Sequence, residues 1–210
     1  MSHKTTQENT PKGRAGKPRR RRGPRKATPG HLRNAALYHL DRYPASAAHL
    51  RRLLMARVER SARLHGTGRD EGAAAVDALI AEFLDAGLLD DARYAAGQAR
   101  ALFKRGASAR RIRSALAMKG VARELVDQAL EGLREEAAEP ELAAALGYAR
   151  RRRLGPYRGD PGSAEARAAR AAMREKDLAA LGRQGFGYGL ARRVIEADDL
   201  SELEAEAGVR

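Results

Sequence analysis

Leu88 to Ala95 read LLDDARYA and set two carboxylates, Asp90 and Asp91, side by side. Adjacent carboxylates can ligate a hard cation or act as a catalytic acid and base. A metal site would need further Asp, Glu or His converging at liganding distance, and no such cluster is visible in the sequence. Gly87 reads as the end of one helix, and LLDD opens the next. A helix start offers unpaired N–H groups and a positive dipole end, where carboxylates are stabilised. One aspartate is therefore expected to cap. The other should pair with a nearby base such as Arg93 or with a neighbouring unit of the fold.

Other candidates for chemistry also reduce to architecture. His31 and His39 lie eight residues apart, about two helical turns, but lack the HExxH pairing of a zinc site. GRQGFGYG, Gly182 to Gly189, is rich in glycine. It follows a helix rather than a strand and has no phosphate-loop Lys-Ser/Thr, so it reads as a helix end and tight turn. Arg158-Gly159-Asp160 spells an adhesion tripeptide, read here as coincidence. No serine sits in a nucleophile elbow. No catalytic residue, cofactor site or metal site is expected, and the chain is not read as an enzyme.

Composition narrows the fold. The 210 residues are 43% hydrophobic but only 4% aromatic, without Trp or Cys. A core must come from Leu, Ala, Ile and Val, which suits helices, and disulfides and thiolate metal sites are excluded. Apolar stretches fall far short of the roughly 18 residues that span a bilayer. The basic N-terminus lacks an apolar signal region, so a cytoplasmic protein is expected.

The net charge of +14 is unevenly spread. Residues 1–30 carry ten Lys or Arg against Glu8, a net +9, leaving +5 for the rest. A Pro-, Gly- and Arg-rich segment cannot bury apolar surface and is expected to be a disordered arm attracted to polyanions. Glu196 to Glu206 holds six acids and no base, so residues 198–210 read as an acidic tail.

Between the ends the periodicity is helical throughout. Ser46 and Ser108 stand as N-caps, while Gly87, Gly106 and Gly120 end helices. Laying Ile112 and Leu116 over Leu50 and Leu54 gives a spacing of 62. Laying Leu190, Val194 and Ile195 over Leu125, Ala129 and Leu130 gives 65. Leu181 then matches Leu116, but Asp177 falls where Ile112 is apolar. Three copies of a three-helix unit follow, over 31–86, 87–136 and 137–197, with extra loops at His65–Gly72 and Leu154–Ser163. Leu116, Leu125, Val126 and Leu130 are expected core.

The run from Gly87 to Val121 resembles the signature core of RecX proteins, bacterial regulators of the RecA recombinase. The resemblance rests on Gly87, Leu89, Asp90, Asp91, Arg93, Tyr94 and Ala95. It continues through Gly106, Arg111, Ile112, Leu116, Lys119, Gly120 and Val121. ALYHLDRYPASAAHLRRLL resembles that family's first repeat. LGRQGFGYGLARRVIE, with Arg183, Gly185 and Phe186, resembles its third. The resemblance covers residues 31–197 and implies an all-α, elongated and curved array of three three-helix repeats.

It also implies a protein that lies in the groove of the RecA filament on DNA. There it would inhibit ATP hydrolysis, strand exchange and coprotease activity. Such a protein is expected to be a monomer, without a membrane or cofactor requirement. Candidate contacts with RecA or DNA are Arg110, Arg111, Arg113 and Lys119, the run Arg150, Arg151, Arg152 and Arg153, and the pair Arg192 and Arg193. The alternative is a stand-alone helical nucleic-acid-binding protein. Only nine aromatics are present, and Phe83, Tyr94 and Phe186 fall at core positions, which argues against a base-stacking platform.

Overall fold

The computed structural model describes residues 25–158 and 163–208. Among them are ten α-helices, two short 3-10 turns and no strand. The first unit comprises α1 (Pro29–Leu40), α2 (Ala47–His65) and α3 (Arg69–Asp85). The second comprises α4 (Asp91–Lys104), α5 (Ala109–Met118) and α6 (Arg123–Glu131). The third comprises α7 (Pro140–Arg152), α8 (Ala164–Arg183) and α9 (Tyr188–Ile195), and α10 (Leu200–Ala207) follows it. No described helix is long and apolar enough to cross a membrane.

Each unit closes over its own core. Leu32, Leu50, Leu54, Val76 and Phe83 fill the first. Tyr94, Ile112, Leu116, Val126 and Leu133 fill the second. Leu146, Leu181, Phe186, Val194 and Ile195 fill the third. Leu125 and Leu130 lie at the margin of the second core, only partly buried, because α6 turns Val126 and Ala129 inward instead. Leu116 is 1% exposed. Leu116→Ala is therefore expected to cost about 2–5 kcal/mol, measured as the shift in a chemical denaturation curve followed by helical circular dichroism.

The chain ends differ from the sequence expectation where they are described. The structure of the arm over residues 1–24 lies outside the described residues. The fold starts before residue 31: the Ala27 amide donates to Ser61 Oγ at 2.9 Å, and Thr28 caps α1 by accepting from the His31 amide. Likewise, the acidic end is not a free tail. Asp199 caps α10, and Leu203 and Ala207 are buried against the third core.

Candidate functional site

Several of the residues that carry the resemblance lie at the joints between units, among them Asp91, Lys119, Gly120 and Gly185. Asp90 caps α4, its Oδ1 accepting from the Arg93 amide at 2.8 Å. Asp91 reaches back to the first unit instead, its Oδ1 accepting from the Ala47 amide at 2.8 Å. Both carboxylates thus satisfy helix N-termini, one in its own unit and one across a joint. Among the described residues, no group of three or more His, Asp or Glu is placed to hold a metal ion.

The joints repeat. Ser46 Oγ accepts from the His49 amide at 3.2 Å and donates to the Lys119 carbonyl at 2.6 Å. One unit later, Ser108 Oγ accepts from the Arg111 amide at 3.1 Å and donates to the Gln184 carbonyl at 2.6 Å. Glu141 plays the part of Asp91, accepting from the Ala109 amide at 3.0 Å. Each capping serine is fully buried. One hydroxyl therefore caps its own helix and ties it to the next unit.

The glycines after Lys119 and Gln184 make this approach possible. Gly120 has φ +78° and Gly185 φ +93°, in the left-handed region that favours glycine. A Cβ on Gly120 would stand 2.5 Å from Ala48 Cβ, and one on Gly185 would stand 2.5 Å from Ser108 Oγ. After each glycine the chain folds back under the helix it has left. The Val121 amide donates to the Leu116 carbonyl, and the Phe186 amide to the Leu181 carbonyl, which buries Val121 and Phe186. Gly106 is pinned similarly, 2.7 Å from the Ala144 carbonyl oxygen were it to carry a Cβ. Gly87 ends α3 at φ +68° without a close neighbour, and Leu89 packs beneath it in the first core.

Charge is sorted by helix. The middle helices α2, α5 and α8 carry formal net charges of +4, +3 and +2. The third helices α3 and α6 carry −4 and −2, whereas α9, the third helix of its unit, carries +2, and α10 after it carries −3. Many cations of the middle helices meet those acids: Arg51 binds Asp77, and Arg113 binds Asp127. Arg192 and Arg193 are paired to Glu196 and Glu206. Arg150 holds Glu204, to which the Tyr157 hydroxyl also donates at 3.1 Å. Burial first, then Glu204, pushes that phenol up to about 12. Arg151 donates to the carbonyls of Lys104 and Arg105. Of the ten cations singled out from the sequence, only Arg110, Arg111, Lys119, Arg152 and Arg153 have no ion pair or side-chain hydrogen bond with another described residue.

The third unit holds a residue whose role the sequence did not show. Asp177, at the position of Ile112, is 2% exposed. Its carboxylate accepts from the Gly155 amide at 2.9 Å and from Arg158 at 2.8 and 3.0 Å. Both partners come from the extra loop before α8. The tripeptide's arginine is therefore a structural counter-ion; Gly159 and Asp160 lie outside the described residues.

A depression of about 760 Å³ opens between the second and third units over Ile112, Leu130 and Leu133. The charges on its walls are largely paired with one another: Asp127 with Arg113, and Glu131 with Arg134. No Ser, Thr, Cys, His, Lys or Tyr lines it.

Residues 90–130 match the description of the second three-helix domain of RecX. Across 175 residues the chain is 42% identical to Regulatory protein RecX of Myxococcus xanthus (strain DK1622), covering 83% of this chain and 89% of that one. Across 173 residues it is 31% identical to Regulatory protein RecX of Agrobacterium fabrum, covering 80% and 86%. No solved structure matches the chain.

Proposed function

The chain belongs to the RecX family of regulatory proteins, and from that premise we propose that it binds the RecA filament on DNA and restrains it as a monomeric cytoplasmic regulator without catalysis of its own. The restrained activities would be ATP hydrolysis, strand exchange and coprotease function. The observation that carries this reading is the match to two RecX proteins over four-fifths of the chain. The geometry is compatible with it. Three units stacked through like joints make a surface that is long relative to its volume, and the basic middle helices offer charge to phosphate or to acidic protein. Arg110, Arg111, Arg113, Lys119, Arg150–Arg153, Arg192 and Arg193 are the proposed contact set.

Substoichiometric protein is expected to lower RecA-driven ATP hydrolysis on single-stranded DNA. A ligand of the shared filament disturbs many subunits at once. The measurement titrates the protein into preformed and growing filaments at fixed salt, beside a binding curve on the same DNA without RecA. Loss of hydrolysis only at concentrations that coat naked DNA would replace the recombinase-directed reading with that of a stand-alone DNA-binding protein.

A further inference from the structure

We propose that each inter-unit joint carries a phosphate-binding cluster, built to take the phosphodiester backbone of a nucleic-acid strand. This rests on the reading that the protein touches DNA, and it assigns that contact to particular residues. At the first joint the cluster is His49, Arg52 and Lys119. At the second it is Arg110, Arg111 and Arg183.

The assignment follows from which cations lack a carboxylate. Elsewhere along α2, α5, α8 and α9 several arginines pair with acids: Arg51 with Asp77, Arg113 with Asp127, Arg174 with Glu196 and Arg193 with Glu206. At the joints no acid partner meets the cations among the described residues. Arg52 donates only to the Met118 carbonyl, at 3.0 Å. Arg52 also lies 3.2 Å from the place a Cβ on Gly120 would take, and Lys119 immediately precedes that glycine. At the second joint, a Cβ on Gly185 would sit 3.4 Å from Arg110 Cβ and 3.6 Å from the Arg111 amide. Arg183 stands two residues before it, exposed. Folding thus brings cations from two units to each glycine and leaves them without an ion pair among the described residues, although Asp91 and Glu141 cap helices at the same joints, while Arg51, Arg113 and Arg174 on the same helices are neutralised.

The local field is visible in His49. Burial, then Lys119, Arg52 and His39, hold its imidazole below the ordinary histidine range. At neutral pH it is therefore an uncharged hydrogen-bonding group beside two permanent cations. The two clusters lie at opposite ends of α5, ten residues long, or about 15 Å. That separation corresponds to about four phosphates at 3.4 Å per nucleotide on a helical strand. One strand running along α5 would meet both clusters, with arginine forks suited to its non-bridging oxygens.

The test compares two full-length variants with the same change in net charge. One carries Arg110→Gln, Arg111→Gln and Arg183→Gln. The other carries Arg33→Gln, Arg51→Gln and Arg174→Gln, arginines that already face carboxylates. Binding to a single-stranded oligonucleotide is measured without RecA over a range of salt, with melting curves to check the fold. The joint variant is expected to bind about tenfold or more weakly. Its log–log salt slope should be shallower by about 2, since each phosphate contact on a single strand contributes about 0.7. The control variant should stay close to wild type. Equal losses in both would mean that diffuse charge holds the DNA, and the proposal would fall. It would also fall if the joint variant kept its DNA affinity but lost the effect on RecA, because the clusters would then meet acidic protein. Loss of DNA affinity alone would leave the recombinase-directed reading standing on its own assay.

Discussion

Arg158→Met is expected to destabilise the third unit by about 3–5 kcal/mol, the range for breaking a buried ion pair from one side. The remaining carboxylate of Asp177, 3% exposed in its side chain, would keep only the Gly155 amide as a partner. Pairing the change with Asp177→Ile should recover part of the loss, with about 1–3 kcal/mol left because the buried Gly155 amide loses its acceptor. Isoleucine is what the second unit carries at the matching position, and apolar replacements of buried pairs are often neutral or stabilising. Urea denaturation of the single and double variants checks the sign. A single variant within 1 kcal/mol of wild type would show that water reaches Asp177 and that the loop is not anchored there.

Gly185→Ala is expected to cost about 2–5 kcal/mol. The left-handed backbone contributes about 1–2 of these, and the clash with Ser108 Oγ about 1–3. Adding Ser108→Ala removes the clashing atom along with the cap and the tie to Gln184. The two changes should therefore cost less together than the sum of each alone. Gly97→Ala is the internal control. It lies inside α4 with open space around a new Cβ, and it should stabilise by about 0.5–1 kcal/mol. Hydrogen exchange would localise the Gly185 effect to the C-terminal turn of α8 and the first turn of α5.

These expectations mark how far the sequence could be read. The all-helical fold and its serine caps were legible because capping and periodicity are local. Ser46 and Ser108 each sit immediately before an amphipathic helix. What those hydroxyls do next was not legible. Their carbonyl partners lie 73 and 76 residues away, and nothing in a local window marks a carbonyl as an acceptor. The second role of Asp91 was open for the same reason, since its partner is 44 residues back. Asp177 stood out as a misfit in the repeat register, but its counter-ion came from an insertion whose motif read as coincidence. The acidic end hid a usable signal: Leu200, Leu203 and Ala207 stand at helical spacing, and six nearby acids drew attention away from it. Among the basic residues, sequence showed where charge is dense. Only the fold separates cations that face carboxylates, such as Arg113 and Arg193, from those that do not, such as Arg110.

The joint also depends on register. It needs a capping serine at the start of a middle helix and a left-handed glycine at the end of the following one. In the third unit the residue 65 positions after Ser108 is Met173, well inside α8, and the serine that caps this middle helix is Ser163, ten residues earlier, which accepts from the Ala166 amide at 3.0 Å. At the other end, the glycine that closes α2, Gly66, has φ +64° and open space around it. A second molecule approaching head to tail would bring to Gly66 a serine that is out of register. Head-to-tail contacts of this kind build open fibres when both halves are present. The extra turns at the start of α8 therefore move the third unit's capping serine out of the register that Ser46 and Ser108 share.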